Sequence, residues 1–309
     1  MKPIVLGIGI AMLLSTSPAG AAEPLKVYIL AGQSNMEGAG RIAADPNRNE
    51  GRGSLEYVAK RAPEGSLLSK LLAEDGSWRE RDDVSIWYLG RMGKLAPGFG
   101  ARPETIGPEL GFGLVMGEAS EEPVLLFKMA WGGKSLAKDF RPPSSGGEVG
   151  PYYTQLVDET KKMLADVKSY FPEYAGREVK LAGFGWHQGW NDRINQSFND
   201  AYEENMANFI RDIRKDLGAP NLPFVIAETG MNGPGETHPR ALSLMKAQAA
   251  VAEHEEFRGN VAFVPTREFY RPAEESPAGQ GYHWNSNAET YFLIGEGMGK
   301  AMLGLTAEK

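Results

Sequence analysis

Strand-like apolar runs alternating with helical patterns predict an α/β fold with a central parallel sheet covered on both faces, because parallel neighbours need crossover connections. Two observations carry this prediction. Short apolar runs bounded by glycine or polar residues stand at 27–30, 123–129, 179–187, 224–228 and 261–265. Between them apolar residues return at helical spacing. In 197–217, Phe198, Tyr202, Met206, Phe209, Ile213 and Leu217 fall three or four apart, which marks one buried helical face.

Taken in order, Val27, Tyr28, Ile29 and Leu30 read as the first strand, and the run stops at Gly32-Gln33-Ser34-Asn35. A second strand is expected over 84–89. A helix over 106–120 leads to the strand at 123–129, and a helix over 152–170 to that at 179–187. The helix over 197–217 precedes the strand at 224–228. A helix from about 239 to 257 precedes the last strand, and a final helix runs from about 287 to 302. Two long irregular segments remain, 41–83 and 133–151, and loops of that length in a compact domain are often functional.

The first residues belong to a different kind of segment. Lys2, an apolar stretch over 4–14 and Ala19-Gly20-Ala21 have the basic start, short apolar run and small-x-small cleavage site of a secretory signal peptide. The run is too short to span a bilayer. The predicted organisation is therefore a signal peptide over 1–22 and a single domain over 23–309, exported to the periplasm or beyond the cell. No later segment reaches the length of a membrane span. The chain has no cysteine, which excludes disulfides, thiolate metal sites and thiol nucleophiles. Its net charge of -7 argues against a general nucleic-acid binder, which needs a basic surface. The sequence says nothing of oligomeric state.

In open parallel sheets ligands bind beyond the carboxyl ends of the strands. Polar and glycine residues that a core does not need stand at four such places: Gly32-Gln33-Ser34, Trp131-Gly132-Gly133-Lys134-Ser135, Trp186-His187-Gln188-Gly189-Trp190-Asn191-Asp192 and Gly281-Tyr282-His283-Trp284-Asn285. Together they hold a serine, exposed backbone amides, side-chain amides and a histidine, the parts of an acyl-transfer site. Ser34 by itself reads either as a nucleophile on a strand-to-helix turn or as a helix N-cap. "GGKS" at 132–135 is no phosphate loop, because the glycine required five residues earlier is Lys128. No cofactor is expected. The four histidines lack metal-ligand spacing, so no metal is expected either. His254 lies on a polar helix end and His238 precedes Pro239 in a turn. His187 is structural or supporting. His283 stands before Ser286-Asn287-Ala288-Glu289, which reads as a capping box starting the last helix. A helix N-terminus there disfavours imidazolium, which suits a base that must start neutral.

The blocks "GQSNM" at 32–36, "IGPELGFG" at 106–113, "WGGKSL" at 131–136, "WHQGWND" at 186–192 and "HWNSNAETYFLIG" at 283–295 resemble those of the SGNH-type hydrolases. Within these the chain is most similar to the branch of sialate O-acetylesterases and family-six carbohydrate esterases. The resemblance implies a flavodoxin-like three-layer α/β/α fold and a serine esterase that removes acetyl groups from sugars. It implies Ser34 as nucleophile, His283 as base, Gly132 or Gly133 as an oxyanion amide, and Gln188 or Asn191 as a side-chain oxyanion donor.

Two positions depart from the resembled pattern. An aspartate three residues before the histidine is replaced by Gln280, and a glutamate after the Gln-Gly pair by Trp190. Asp192, in a matched block, is the remaining candidate for the triad acid, beside a backbone carbonyl in that role. The competing reading is a catalytically impaired carbohydrate-binding protein on the same fold. It draws on the missing acid and on Trp131, Trp186, Trp190 and Trp284, whose rings could stack on sugar. The loop 133–151, carrying Lys134, Lys138 and Arg141, reads as a solvated surface or as a lip for acidic sugars.

Overall fold

Val27, Ile29 and Ala31 are wholly buried on one side of the first strand, and Tyr28 and Leu30 are buried on the other. A strand apolar on both faces belongs in the middle of a sheet with helices above and below. The computed structural model, which describes residues 22–307, places it there. The signal-peptide reading falls on residues outside those described.

The elements run in the order β1 (Leu25–Gly32), α1 (Ser34–Glu37), β2 (Gly40–Arg41), α2 (Leu55–Ala59), β3 (Arg81–Tyr88), β4 (Arg91–Leu95), β5 (Thr105–Ile106), α3 (Pro108–Glu118) and β6 (Val124–Ala130). They continue with α4 (Pro151–Ala165), β7 (Val179–His187), α5 (Trp190–Arg193), α6 (Gln196–Asp200), α7 (Tyr202–Asp216), β8 (Phe224–Ala227), α8 (Pro239–Ala252), β9 (Val261–Val264) and α9 (Ala288–Thr306). Short 3₁₀ turns join several of them.

The main sheet has seven strands in the order β4-β3-β6-β1-β7-β8-β9, all parallel except β4. On one face α4, α7 and α8 contribute Leu156, Met206, Phe209, Ile213 and Leu244 to a core shared with Val27, Phe127 and Phe184. On the other, α3 and α9 contribute Leu110, Phe112, Ile294 and Met298 over Leu30, Leu126 and Val225. Each such side chain withdrawn from water stabilises the fold by about 1.5–3 kcal/mol. The expected three-layer α/β/α architecture is the observed one.

β1 lies between β6 and β7, with Gly32 paired to Ala130 on one side and to His187 on the other. The chain leaves β1 toward β3 and β6, then crosses to β7, β8 and β9. The carboxyl ends of β1, β6 and β7 therefore meet where the strand order reverses, the place where sheets of this kind bind ligands.

The structure differs from the expected elements at identifiable points. β4 was not foreseen. It returns antiparallel through a two-residue turn in which Leu89 and Gly90 both have positive φ, 46° and 90°. That is the geometry of a tight hairpin, but its first position usually signals itself with Asn, Asp or Gly, not Leu. Helix 152–170 ends at Ala165, where Asp166 turns to φ −145°. The periodic stretch 197–217 is broken at Ala201 into α6 and α7, and Asn195 caps α6 by accepting from the Phe198 N–H. The helix expected to reach 257 stops at Ala252, and the last helix runs on to Thr306. The irregular segment 41–83 contains α2, which Ser54 caps.

Candidate active site

Gly32 ends β1 where a side chain has no room: a Cβ there would lie 2.2 Å from the His187 carbonyl oxygen. The Gln33 N–H donates to that carbonyl at 3.2 Å, and the Trp131 N–H donates to Gly32 O at 3.1 Å. The strand end is thus tied to both neighbours before the chain turns into α1. Gln33, not Ser34, is the N-cap residue, and its carbonyl accepts from Met36 and Glu37 N–H. The N-cap reading of Ser34 is excluded. Ser34 is the first helical residue, half-buried, with its N–H at the head of the turn where no earlier helical carbonyl exists to receive it.

The Ser34 Oγ lies 3.1 Å from His283 Nε2, a contact between residues 249 positions apart. Burial pushes the His283 imidazole below its ordinary pKa, and no charged group acts against it. The sequence argument expected a helix N-terminus to do this. The expected capping box does not form: Asn287 is the N-cap of α9, accepting from the Thr290 N–H, and Glu289 pairs with Arg271 at 2.9 Å.

The two amides flanking the serine have separate tasks. Gln33 Oε1 accepts from the N–H of Gly189 at 3.0 Å and of Asn191 at 3.3 Å, while its Nε2 donates to Asn191 Oδ1 at 3.3 Å. Gln33 therefore fixes the turn after β7. Asn35 faces the opposite way. Its Nδ2 donates to Tyr282 O at 3.1 Å, and its Oδ1 accepts from the Tyr291 hydroxyl at 2.7 Å. That hydroxyl also lies 3.3 Å from His283 O. Asn35 and Tyr291 pin the histidine loop to the Ser34 turn. Neither was singled out as a functional residue from the sequence, although both lie in matched blocks.

Asp192 does not meet His283. It is fully buried, and its oxygens accept from Leu136 N–H, Ala137 N–H and Gln188 Nε2 at 2.8, 2.8 and 2.6 Å. Burial pushes its pKa up to about 6 against those three donors. Its position at the start of α5 aims it at the loop after β6, so it shapes that loop and leaves the imidazole without a carboxylate. Gln188 is also spent. Its Nε2 donates to Asp192 and to Lys134 O at 3.0 Å, and the residue is buried. Asn191 is half-buried, and its Nδ2 gives one hydrogen to Gly133 O at 2.6 Å, which leaves its second N–H available. Gly132 is exposed and adjoins the serine: a Cβ built on it would lie 3.7 Å from Ser34 Cβ. Gly133, with φ +71°, makes the turn that offers its carbonyl to Asn191.

Beneath α1 lies a buried ion pair. Lys128, on β6, donates to Glu109 Oε2 at 2.6 Å, to Glu37 O at 2.7 Å and to Phe99 O at 2.7 Å, which uses all three ammonium hydrogens. Glu109 takes a further N–H from Gly107 at 2.8 Å. The carbonyl at the end of the Ser34 turn is thus held from below. Glu37 itself, three residues after Ser34, has its carboxyl against Gly132, and burial raises its pKa.

The remaining histidines are structural. His187 is fully buried with Nδ1 3.3 Å from Ala227 O, and burial lowers its pKa to about 4. His238 caps α8, and His254 lies 3.0 Å from Glu203. Among the described residues no group of three or more acidic or histidine side chains could hold a metal ion, and no helix is long and apolar enough to cross a membrane. Trp186 and Trp284 are wholly buried, and Trp131 packs on Phe140 and Tyr152, so the sugar-stacking argument loses most of its rings. In the loop 133–151, Arg141 donates to Ala137 O, Ser145 O and Gly146 O and so braces the loop itself.

Comparison with known proteins places the chain in a family and matches its fold. The model of the family "Carbohydrate esterase, sialic acid-specific acetylesterase" matches residues 24–303. A protein of Arabidopsis thaliana, named a probable carbohydrate esterase, is 25% identical over 205 residues, which are 65% of this chain and 68% of the relative. Among solved structures, an Arabidopsis thaliana protein superposes with a TM-score of 0.58 at 17% identity, over 91% of this chain and 98% of that one. A carbohydrate acetylesterase from Xanthomonas citri gives 0.56 at 14% identity, over 90% of this chain and 55% of that one. At these identities the superpositions speak to the fold.

Proposed function

The chain belongs to the sialic acid-specific acetylesterase family of carbohydrate esterases and is a carbohydrate O-acetylesterase by that membership; from this premise we propose that it works through a Ser34–His283 dyad and an acyl-enzyme. The observation that carries the proposal is the 3.1 Å approach of Ser34 Oγ to His283 Nε2 beyond the carboxyl end of β1.

In this reading Ser34 Oγ attacks the acetyl carbonyl as Nε2 takes its proton. The Ser34 N–H and the free Asn191 Nδ2–H receive the developing oxyanion, joined by the Gly132 N–H as it turns from the Glu37 carboxyl beside it. Removing one such donor costs roughly 3–4 kcal/mol of transition-state stabilisation. The imidazolium then protonates the departing sugar oxygen. Water, deprotonated in turn by His283, releases acetate and restores the serine. Gln188 is dropped from the donor set because both its N–H groups are occupied, and Asp192 from the proton relay because its oxygens are. The acid is missing, but a dyad of this kind still has its base and its oxyanion donors. The substrate is an acetylated carbohydrate outside the cytoplasm, in keeping with the signal peptide read from the sequence.

The base must be neutral to act, and its pKa is lowered by burial. Activity is therefore retained as pH falls below the ordinary imidazole value and is lost only as pH passes the lowered one. The test is turnover of the purified protein on acetylated xylan, acetylated sialic acid and a chromogenic acetate, with labelling by a serine-directed phosphonate. Acetate release and labelling at Ser34, both abolished in Ser34→Ala, are expected. Full turnover in Ser34→Ala refutes the dyad.

A further inference from the structure

The His283 imidazole has no carboxylate partner, yet its Nε2 is aimed at Ser34. Something other than charge must hold the ring. The backbone around it is held by Asn35 and Tyr291, but those bonds leave the side-chain torsions free. The ring's own neighbours are aromatic. Tyr282 meets His283 edge to face with centroids 4.6 Å apart at 60°. Trp190 lies against Tyr282 at 5.7 Å and 42°. The Arg193 guanidinium sits 4.2 Å above the Trp190 ring. Trp190 and Arg193 are the two ends of α5, whose turn Gln33 fixes from below.

We propose that Trp190 and Tyr282 are positioning residues, an aromatic strut braced by Arg193 that orients the His283 imidazole in place of a triad acid. The proposal rests on the reading of His283 as base. An aromatic contact is worth about 0.5–1.5 kcal/mol beyond its buried area, enough to favour one ring orientation over its alternatives. A carboxylate does two things for a catalytic histidine: it fixes the ring and it stabilises the imidazolium. The strut does the first and not the second, which fits a base whose pKa is lowered by burial with no charge opposing it. The charges that act on Arg193 are Glu236 and Arg240, and neither acts on His283. Trp190 occupies the position where the resembled pattern carries a glutamate, so the strut stands where an acid would have stood. Tyr282 is the exposed end, 43% accessible, and it also screens the imidazole from water.

The experiment is steady-state kinetics of the full chain on a small neutral acetate, which makes no sugar contacts. Trp190→Ala is expected to lower kcat by about 10–100-fold, the cost of misplacing a catalytic group by an ångström or less, with KM changed less than about twofold. Trp190→Phe restores most of the loss. Tyr282→Ala lowers kcat and, by hydrating the imidazole, moves the acid limb of kcat/KM upward toward the ordinary histidine value, which a scaffold residue would not do. Should Trp190→Ala melt below the assay temperature, Trp190→Leu, which keeps bulk without the aromatic face, carries the same reading. Unchanged kcat in folded Trp190→Ala, or a rise in KM alone, overturns the strut. His283→Ala separates the two levels. If it is inactive while Trp190→Ala is unaffected, the strut fails and the base stands. If it retains activity, the base reading fails.

Discussion

The two halves of the proposed dyad are held by different physics. The Ser34 side is a strand end closed by hydrogen bonds: Gln33 and Trp131 tie it to both neighbouring strands, and Lys128 holds the carbonyl of Glu37. Its positive-φ positions, Gly32 and Gly38, are glycines. The His283 side is a loop under strain. Trp284, Asn285 and Ser286 follow the histidine with φ of 50°, 55° and 57°, a conformation that costs L-residues about 1–2 kcal/mol each. Strain of that sort persists only where the surroundings over-determine it. Here the Asn285 carbonyl accepts from Ala278 N–H, its amide donates to Arg271 O, and the Trp284 ring is wholly buried. Ser34 is placed by regular structure, and His283 is placed by packing around irregular structure. The contrast predicts that changes on the serine side disturb chemistry and fold together, whereas changes on the histidine side separate the two.

The largest effect tests whether the halves act as one unit. Ser34→Ala and His283→Ala should each lower kcat by about 10³-fold or more, and the double variant should be no worse than either alone. Additive losses would mean that two independent devices were removed. Lys128→Met comes next. It leaves Glu109 buried without its partner and should cost about 3–5 kcal/mol of stability, read as the denaturation midpoint. A neutral result would detach the ion pair from the serine side. Asn35→Ala cuts the tie between the halves, leaving Tyr282 O and Tyr291 to find other partners. A loss of about 1–3 kcal/mol in stability with a fall in kcat is expected. A stability loss with kcat intact would show that the loop holds its own geometry.

Asp192→Asn distinguishes loop scaffold from triad acid. An amide cannot accept from both Leu136 and Ala137 N–H, so stability should fall by about 1–3 kcal/mol and kcat with it. A fall in kcat with unchanged melting, together with a shifted pH profile, would return Asp192 to the acid role. The smallest effect is Ser286→Gly. Relief of a left-handed residue should raise stability by less than about 1 kcal/mol, net of the freedom glycine adds to the unfolded chain, and leave kcat unchanged. A loss of kcat there would mean that the strain itself aims the histidine.

Much of the site could be read from the sequence because it sits at strand ends, and strand ends announce themselves when an apolar run stops at glycine and polar residues. Ser34, Gly132, Gly133, Asn191 and His283 were all singled out that way or through the blocks they share with a known family, and the structure brings them together. The mistaken assignments have one cause. Asp192 and Gln188 lie in the right block, but which carboxylate meets which imidazole depends on side-chain direction at a turn. The backbone of Gly189, with φ 158° and ψ −23° outside the extended and helical regions, and the first turn of α5 send Asp192 into the protein toward Leu136. The capping box at 286–289 failed for a related reason: the left-handed run through Ser286 moved the cap by one residue, to Asn287.

By itself the sequence determined the layers, the order of most elements, and the pair of residues at the centre of the site. Those follow from hydrophobic periodicity and from local backbone needs, which are properties of neighbouring residues in the chain. Only the tertiary structure decided that β1 lies between β6 and β7, that Gln33 and Asn35 reach to opposite sides of Ser34, that Asp192 serves a loop, and that Tyr282, with Trp190 against it, meets the His283 ring. Each of these is a contact between residues far apart in sequence. Hydrogen-bond partners and ring neighbours are chosen by distance and angle within an ångström, a scale that residue type and spacing do not encode.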